Sequence, residues 1–128
     1  MATRKKLLIA DDKKGIHDVI SKALSIATDY DFDIIHAYDG KEALKLAQEE
    51  LPDLILLDIM MPHLDGRDIC QKLKSAPETK DTKIVMVTGK GEQHDRVLAL
   101  ELGADDYIAK PFSISYLDRT IKRLLEKE

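Results

Sequence analysis

Two hydrophobic periods alternate along the chain. Short, nearly continuous apolar runs stand at Leu7–Ala10, Phe32–Ala37, Leu54–Leu57, Ile84–Val87 and Tyr107–Ala109. Runs of this length and character predict strands covered on both faces, where neither side of the strand meets water. Between them the apolar positions recur at helical spacing. Ile16, Val19, Ile20, Ala23, Leu24 and Ala27 make one stripe, Ala43, Leu44 and Ala47 a second, and Ile69, Leu73 and Ala76 a third. Val97 to Leu102 is apolar nearly all round, and Ile114, Leu117, Ile121, Leu124 and Leu125 form the last stripe.

The punctuation agrees with this division. Asp39 stands three residues before Glu42, the spacing of a capped helix start. Ser113 is placed to cap the last helix. Gly103 follows the fourth stripe, where helices commonly end on glycine. Ser75 to Thr82 reads as a polar connection into the fourth strand. Strand-helix alternation at this spacing predicts an α/β fold, (βα)5, doubly wound, with a parallel five-stranded sheet and right-handed crossovers. Such sheets bind ligands beyond the carboxyl ends of their strands.

Composition narrows the class of function. At 128 residues the chain suits one domain, 1–128, and leaves no room for an output domain after the fifth helix. No apolar run approaches the ~20 residues of a membrane span. The amino-terminal stretch turns charged too soon for a signal peptide, so the chain reads as cytoplasmic. A net charge of −4 gives no general attraction to nucleic acid. The single cysteine, Cys70, sits at helical spacing from Leu73 and reads as packing.

The polar residues at the predicted strand ends carry the chemistry. The first strand ends in Asp11-Asp12, the third in Asp58, the fourth in Thr88 and the fifth in Lys110-Pro111. Three carboxylates at one rim repel unless a cation is present. Hard oxygen ligands with room for water suit Mg2+. A carboxylate beside Mg2+ and a lysine is equipped to attack phosphorus and form an aspartyl phosphate. Thr88 offers a hydroxyl and Lys110 a fixed charge for the phosphoryl oxygens.

The set Ile9-Ala10-Asp11-Asp12, Leu56-Leu57-Asp58-Ile59-Met60-Met61-Pro62, Asp65-Gly66, Val87-Thr88 and Ala109-Lys110-Pro111 resembles the bacterial response-regulator receiver domain, over about Lys6 to Glu126. The resemblance implies a flavodoxin-like strand order 2-1-3-4-5 and a stand-alone, chemotaxis-regulator-like phosphoacceptor switch rather than an enzyme. It implies Asp58 as phosphoacceptor, Mg2+ held by Asp12, Asp58 and the Met60 carbonyl, and Asp11 on a metal-bound water. Thr88 and Lys110 would contact the phosphoryl group, Thr88 and Tyr107 would form the switch, and the bond before Pro111 would be cis. The implied partners are a sensor histidine kinase or histidine phosphotransfer protein. A downstream protein would engage the face of the fourth helix, fifth strand and fifth helix.

Some residues fall outside that pattern or stand beside it. Lys13 and Lys90 flank the acidic set and read either as solvated surface lysines or as charges that raise its local positive potential and alter phosphoryl lifetime. Met60 has no polar side chain to orient water, so slow self-hydrolysis is expected, and Gly89 leaves the site unshielded. The four histidines, His17, His36, His63 and His94, show no metal-ligand spacing and read as surface or packing residues. Gly89-Lys90-Gly91 lacks the frame of a phosphate-cradling loop. Three rival readings remain distinct. A degenerate receiver would lack one of the reactive positions. An aspartate-nucleophile phosphatase would carry a second aspartate where Met60 stands. A flavodoxin-like electron carrier would have a Ser/Thr/Gly-rich loop in place of Asp11-Asp12-Lys13-Lys14.

Overall fold

The order of elements is β1 (Thr3–Ala10), α1 (Lys14–Ile26), β2 (Tyr30–Ala37), α2 (Gly40–Glu50), β3 (Leu54–Asp58), α3 (Gly66–Ser75), β4 (Lys83–Gly89), β5 (Asp106–Lys110) and a C-terminal helix (Ile114–Glu126). The computed structural model describes residues 3–26, 30–59, 61, 63, 65–89 and 100–126. All strand pairs are parallel, in the order β2-β1-β3-β4-β5. The predicted doubly wound α/β sheet is therefore present.

Successive residues of each inner strand face opposite layers. Leu8, Ala10, Ile55, Leu57, Ile84 and Met86 pack with Ala43, Ala47, Ile69, Cys70 and Leu73 from α2 and α3. Leu7, Ile9, Leu54, Leu56, Val85 and Val87 pack with Ile20 and Leu24 from α1 and with Leu117, Ile121, Leu124 and Leu125 from the C-terminal helix. All five residues of β3, at the centre of the sheet, are buried. β2 is an edge strand, and its half-buried and exposed positions alternate at the start, with Asp31 and Asp33 turned to water. The continuous apolar run expected there holds only from Ile34 onward.

The expected caps form. Asp39 accepts from the Glu42 N–H at 2.8 Å, and the Glu42 carboxylate accepts from the Tyr38 N–H at 2.8 Å. Ser113 Oγ accepts from the Tyr116 N–H at 3.0 Å. Gly103 adopts φ 98°, a conformation that favours glycine, just past the helical residues Leu100 and Glu101. The rest of the fourth predicted helix lies outside the described residues, as do Ala27, Lys90, Gly91 and His94.

The first stripe needs correction. Val19 is 53% exposed, whereas His17, Ile20 and Leu24 form the buried line of α1. Residues 17, 20 and 24 share one face of a 3.6-residue helix, and Val19 sits well round from it. Ala76 is likewise the C-cap of α3 rather than part of its stripe. In the connection that follows, Thr79 is buried and its hydroxyl donates to the Leu73 carbonyl at 2.6 Å, so this segment is anchored to the helix end.

Candidate functional site

The parallel register delivers four chain segments to one rim. Asp11 follows β1 directly, Asp58 closes β3, Thr88 is the next-to-last residue of β4 and Lys110 closes β5. Asp58 pairs with Val87 and Thr88 with Ala109, so Thr88 stands one residue beyond the level of Asp58 at the same end of the sheet. Asp11, Asp58 and Thr88 are buried and Asp12 is exposed. Carboxylate oxygens of Asp11, Asp12 and Asp58 lie within 4.8 Å of one another. Lys110 Nζ is 2.8 Å from Asp11 Oδ2 and 3.6 Å from Asp58 Oδ2.

Backbone bonds hold this rim in shape. The Asp11 N–H donates to the Ala37 carbonyl at 3.1 Å, and Asp11 Oδ1 accepts from the Lys13 N–H at 2.8 Å. After β3 the chain continues along β4, the Ile59 N–H donating to the Val87 carbonyl at 3.0 Å. It then returns so that the Gly66 N–H reaches the Ile59 carbonyl, also at 3.0 Å. Gly66 begins α3 directly against the Asp58 backbone, and a Cβ there would stand 2.4 Å from the Asp58 carbonyl oxygen. Asp65 caps α3 by accepting from the Arg67 N–H. The Arg67 side chain, also hydrogen-bonded to Asp65, lowers that carboxyl's pKa. The Lys110–Pro111 bond is cis, as the resemblance led us to expect.

Charge is concentrated but partly balanced. Lys110 faces Asp11 and Asp58, and Lys13 Nζ lies 3.2 Å from Asp12 Oδ1. The bond to Asp12 raises the Lys13 pKa. The donor set is all carboxylate oxygen, two residues buried and one open to water. That combination fits a hard divalent cation that keeps part of its hydration. It also leaves a buried aspartate beside an ammonium, with the Thr88 hydroxyl, here donating to the Gly89 carbonyl at 3.4 Å, on the neighbouring strand end. These are components of an attack on phosphorus with charge neutralisation at its oxygens.

The structure thus brings together Asp11, Asp12, Asp58, Thr88 and Lys110. Met60 and Pro62 lie outside the described residues. Tyr107 stands one layer back from the rim, paired with Met86 and buried in the cluster on the α2 and α3 side. Of the two flanking lysines, Lys13 reaches the acidic set, and Lys90 lies outside the described residues. The sequence reading left His17 as a surface or packing residue; it is buried, and it is also bonded to the Asp11 carbonyl at 2.8 Å. The signal was available, since His17 precedes Ile20 by three residues and Leu24 by seven.

Comparison with known proteins gives a consistent result. The sequence model of the response regulator receiver domain matches residues 7–122. The alkaline phosphatase synthesis transcriptional regulatory protein PhoP of Bacillus subtilis is 43% identical over 123 residues, covering 96% of this chain and 49% of that protein. The chain spans about half the length of the curated relatives it matches. A crystal structure of a putative response regulator from Chloroflexus aurantiacus superimposes with a TM-score of 0.90 at 31% identity, covering 98% of this chain and 100% of that one. The Mn(2+)-bound form of response regulator Rcp1 superimposes with a TM-score of 0.80 at 26% identity, over 96% and 93% of the two chains.

Proposed function

Because the chain belongs to the response regulator receiver domain family, we propose that it accepts a phosphoryl group on Asp58 and passes on the resulting change of state. The observation that carries this reading is Lys110 reaching Asp11 and Asp58 from the end of β5. An Asp58 oxygen attacks phosphorus while the bond to the donor's leaving group, a histidine nitrogen in a kinase or phosphotransfer protein, breaks. Lys110 neutralises charge on a phosphoryl oxygen, and the Thr88 hydroxyl donates to another.

Asp11, Asp12, Asp58 and the Met60 backbone would hold Mg2+, which when bound supplies positive charge opposite the phosphoryl oxygens. That the response regulator Rcp1 has a Mn(2+)-bound form supports the divalent-cation reading. Phosphorylation adds about −1.5 to −2 charge and favours an arrangement in which Thr88 moves toward the group and Tyr107 follows. The surface altered by that movement, around β5 and the C-terminal helix, is where a downstream protein would bind. In this reading residues 1–128 act as one receiver unit in the cytoplasm, a phosphoacceptor and not an enzyme acting on other substrates. No helix among the described residues is long and apolar enough to cross a membrane.

Intact mass spectrometry after incubation with a small phosphodonor tests the assignment. One adduct is expected, dependent on Mg2+ and missing in Asp58→Ala. An adduct of equal yield in Asp58→Ala would reject Asp58 as the acceptor. No adduct from either a small donor or phosphorylated kinase domains would reject the phosphoacceptor reading.

A further inference from the structure

Asp11 is held at four points, and two of them belong to no strand. Its N–H donates to Ala37, its Oδ1 accepts from the Lys13 N–H, and its Oδ2 accepts from Lys110. Its carbonyl, 2.8 Å from His17 Nε2, is the fourth. A carbonyl only accepts, so His17 carries a proton on Nε2. Its other nitrogen, Nδ1, lies 2.8 Å from His36 Nδ1. A neutral His17 protonated on Nε2 offers a lone pair at Nδ1, and His36 fills it with its own Nδ1–H. Burial, then the neighbouring His17, lower the His36 pKa against the opposing effect of Asp18. Tyr38 stacks on the His17 ring at a centroid distance of 4.3 Å.

The carbonyl that His17 holds belongs to the peptide between Asp11 and Asp12. Rotation of that peptide plane moves the Asp12 backbone. The Asp12 side chain is exposed and bonded to the adjacent Lys13 at 3.2 Å, so its direction follows the backbone of this pair. We propose that His17 is a positioning residue of the cation site, fixing the Asp11–Asp12 peptide so that both carboxylates face Asp58, with His36 and Tyr38 fixing the tautomer and plane of its ring. This inference rests on the divalent-cation reading above. It makes His17 an outer partner of the ligands, the kind of residue whose loss weakens a metal site without removing a ligand.

The test is the Mg2+ dissociation constant of the full 128-residue chain by calorimetry, beside its urea midpoint. His17→Leu is expected to weaken Mg2+ about 10-fold. His17→Gln, whose amide N–H can still donate to the carbonyl, should recover most of that loss. A constant unchanged in folded His17→Leu, or no better in His17→Gln, overturns the proposal. His36→Leu leaves the bond to Asp11 in place but frees the ring, and a loss of ~3-fold is expected; an unchanged constant again counts against it. The ring 15N spectrum should show His17 protonated on Nε2, and the reverse tautomer would overturn the mechanism. Failure of the unsubstituted chain to bind Mg2+ would sink the cation reading itself, so the two failures are distinct.

Discussion

Replacing Gly66 by alanine sets two physical effects against each other at one position. Helix propensity favours alanine by up to about 1 kcal/mol within a helix, and Gly66 is the first residue of α3. Sterics oppose it. The added Cβ would meet the Asp58 carbonyl oxygen at 2.4 Å, the Ile59 Cα at 2.9 Å and the Asp58 carbonyl carbon at 3.2 Å. All three are backbone atoms, so no rotamer change relieves the clash. Restoring ordinary contact near ~3.5 Å requires α3 and the end of β3 to part by roughly 1 Å. Overpacking of this kind costs about 1–3 kcal/mol, and more where backbone must move. The expected net is a destabilisation of about 2–3 kcal/mol, or roughly 10 °C in melting temperature for a domain of this size. Urea denaturation measures the first quantity, and the rate of phosphoryl uptake from a small donor reports the displacement of Asp58, with a fall of at least ~10-fold expected. Gly15→Ala is the control, because its Cβ meets nothing within 4 Å and the helix should gain stability. A Gly66→Ala protein as stable as the unsubstituted chain would refute the steric argument.

Three further outcomes follow from the contacts. Asp105 Oδ2 accepts from Lys74 Nζ at 2.9 Å and from the Ile84 N–H at 2.8 Å, tying α3, β4 and the start of β5 together. Asp105→Ala should cost about 2–3 kcal/mol in urea denaturation; a loss under ~0.5 kcal/mol would show that the clamp adds little. The pKa of folded His36 is depressed below its ordinary value of 6.5, chiefly by burial, so the unfolded chain binds more protons than the folded one below about that pH. That contribution to stability is complete above 6.5 and is lost as pH falls through the folded value. Wild-type stability should therefore drop more steeply than that of His36→Gln between neutral pH and pH ~5.5, and equal slopes would contradict the assignment. Cys70 is buried, and that burial pushes its thiol up to about 11. Alkylation should stay slow at neutral pH until urea opens the core, and fast labelling of the native chain would show that α3 lifts away readily.

Much of this was legible in the sequence because it depends on local pattern. Leu54–Leu57 reads as a doubly covered strand, and the polar residues just beyond such runs mark the ligand-binding edge. Asp11, Asp12, Asp58, Thr88 and Lys110 therefore stood out before their geometry was known. What stayed hidden depends on distance in the chain. His17 binds Asp11, six residues away, and His36, nineteen away, contacts that no periodicity encodes. Val19 looked like core because it is apolar, yet the angle at which α1 meets the sheet gives its place to a histidine. Gly66 was visible as a residue, but its reason, the approach of α3 to the Asp58 carbonyl, belongs to tertiary packing. Asp105 similarly reads as an ordinary loop aspartate until Lys74 and Ile84 are seen beside it.

The burial of every residue in β3 has a consequence for how a signal leaves this molecule. A central strand flanked by β1 and β4 opens only when the whole domain opens, so its amides should be among the last to exchange with deuterium. The proposed phosphoacceptor, Asp58, is thus planted in a fully buried strand, while Asp12 and Lys13 sit on the open surface beside it. Chemistry at Asp58 cannot be relayed by bending its own strand. In the proposed reading it is registered by the groups around it, which makes the site a fixed post against which a change of charge is read.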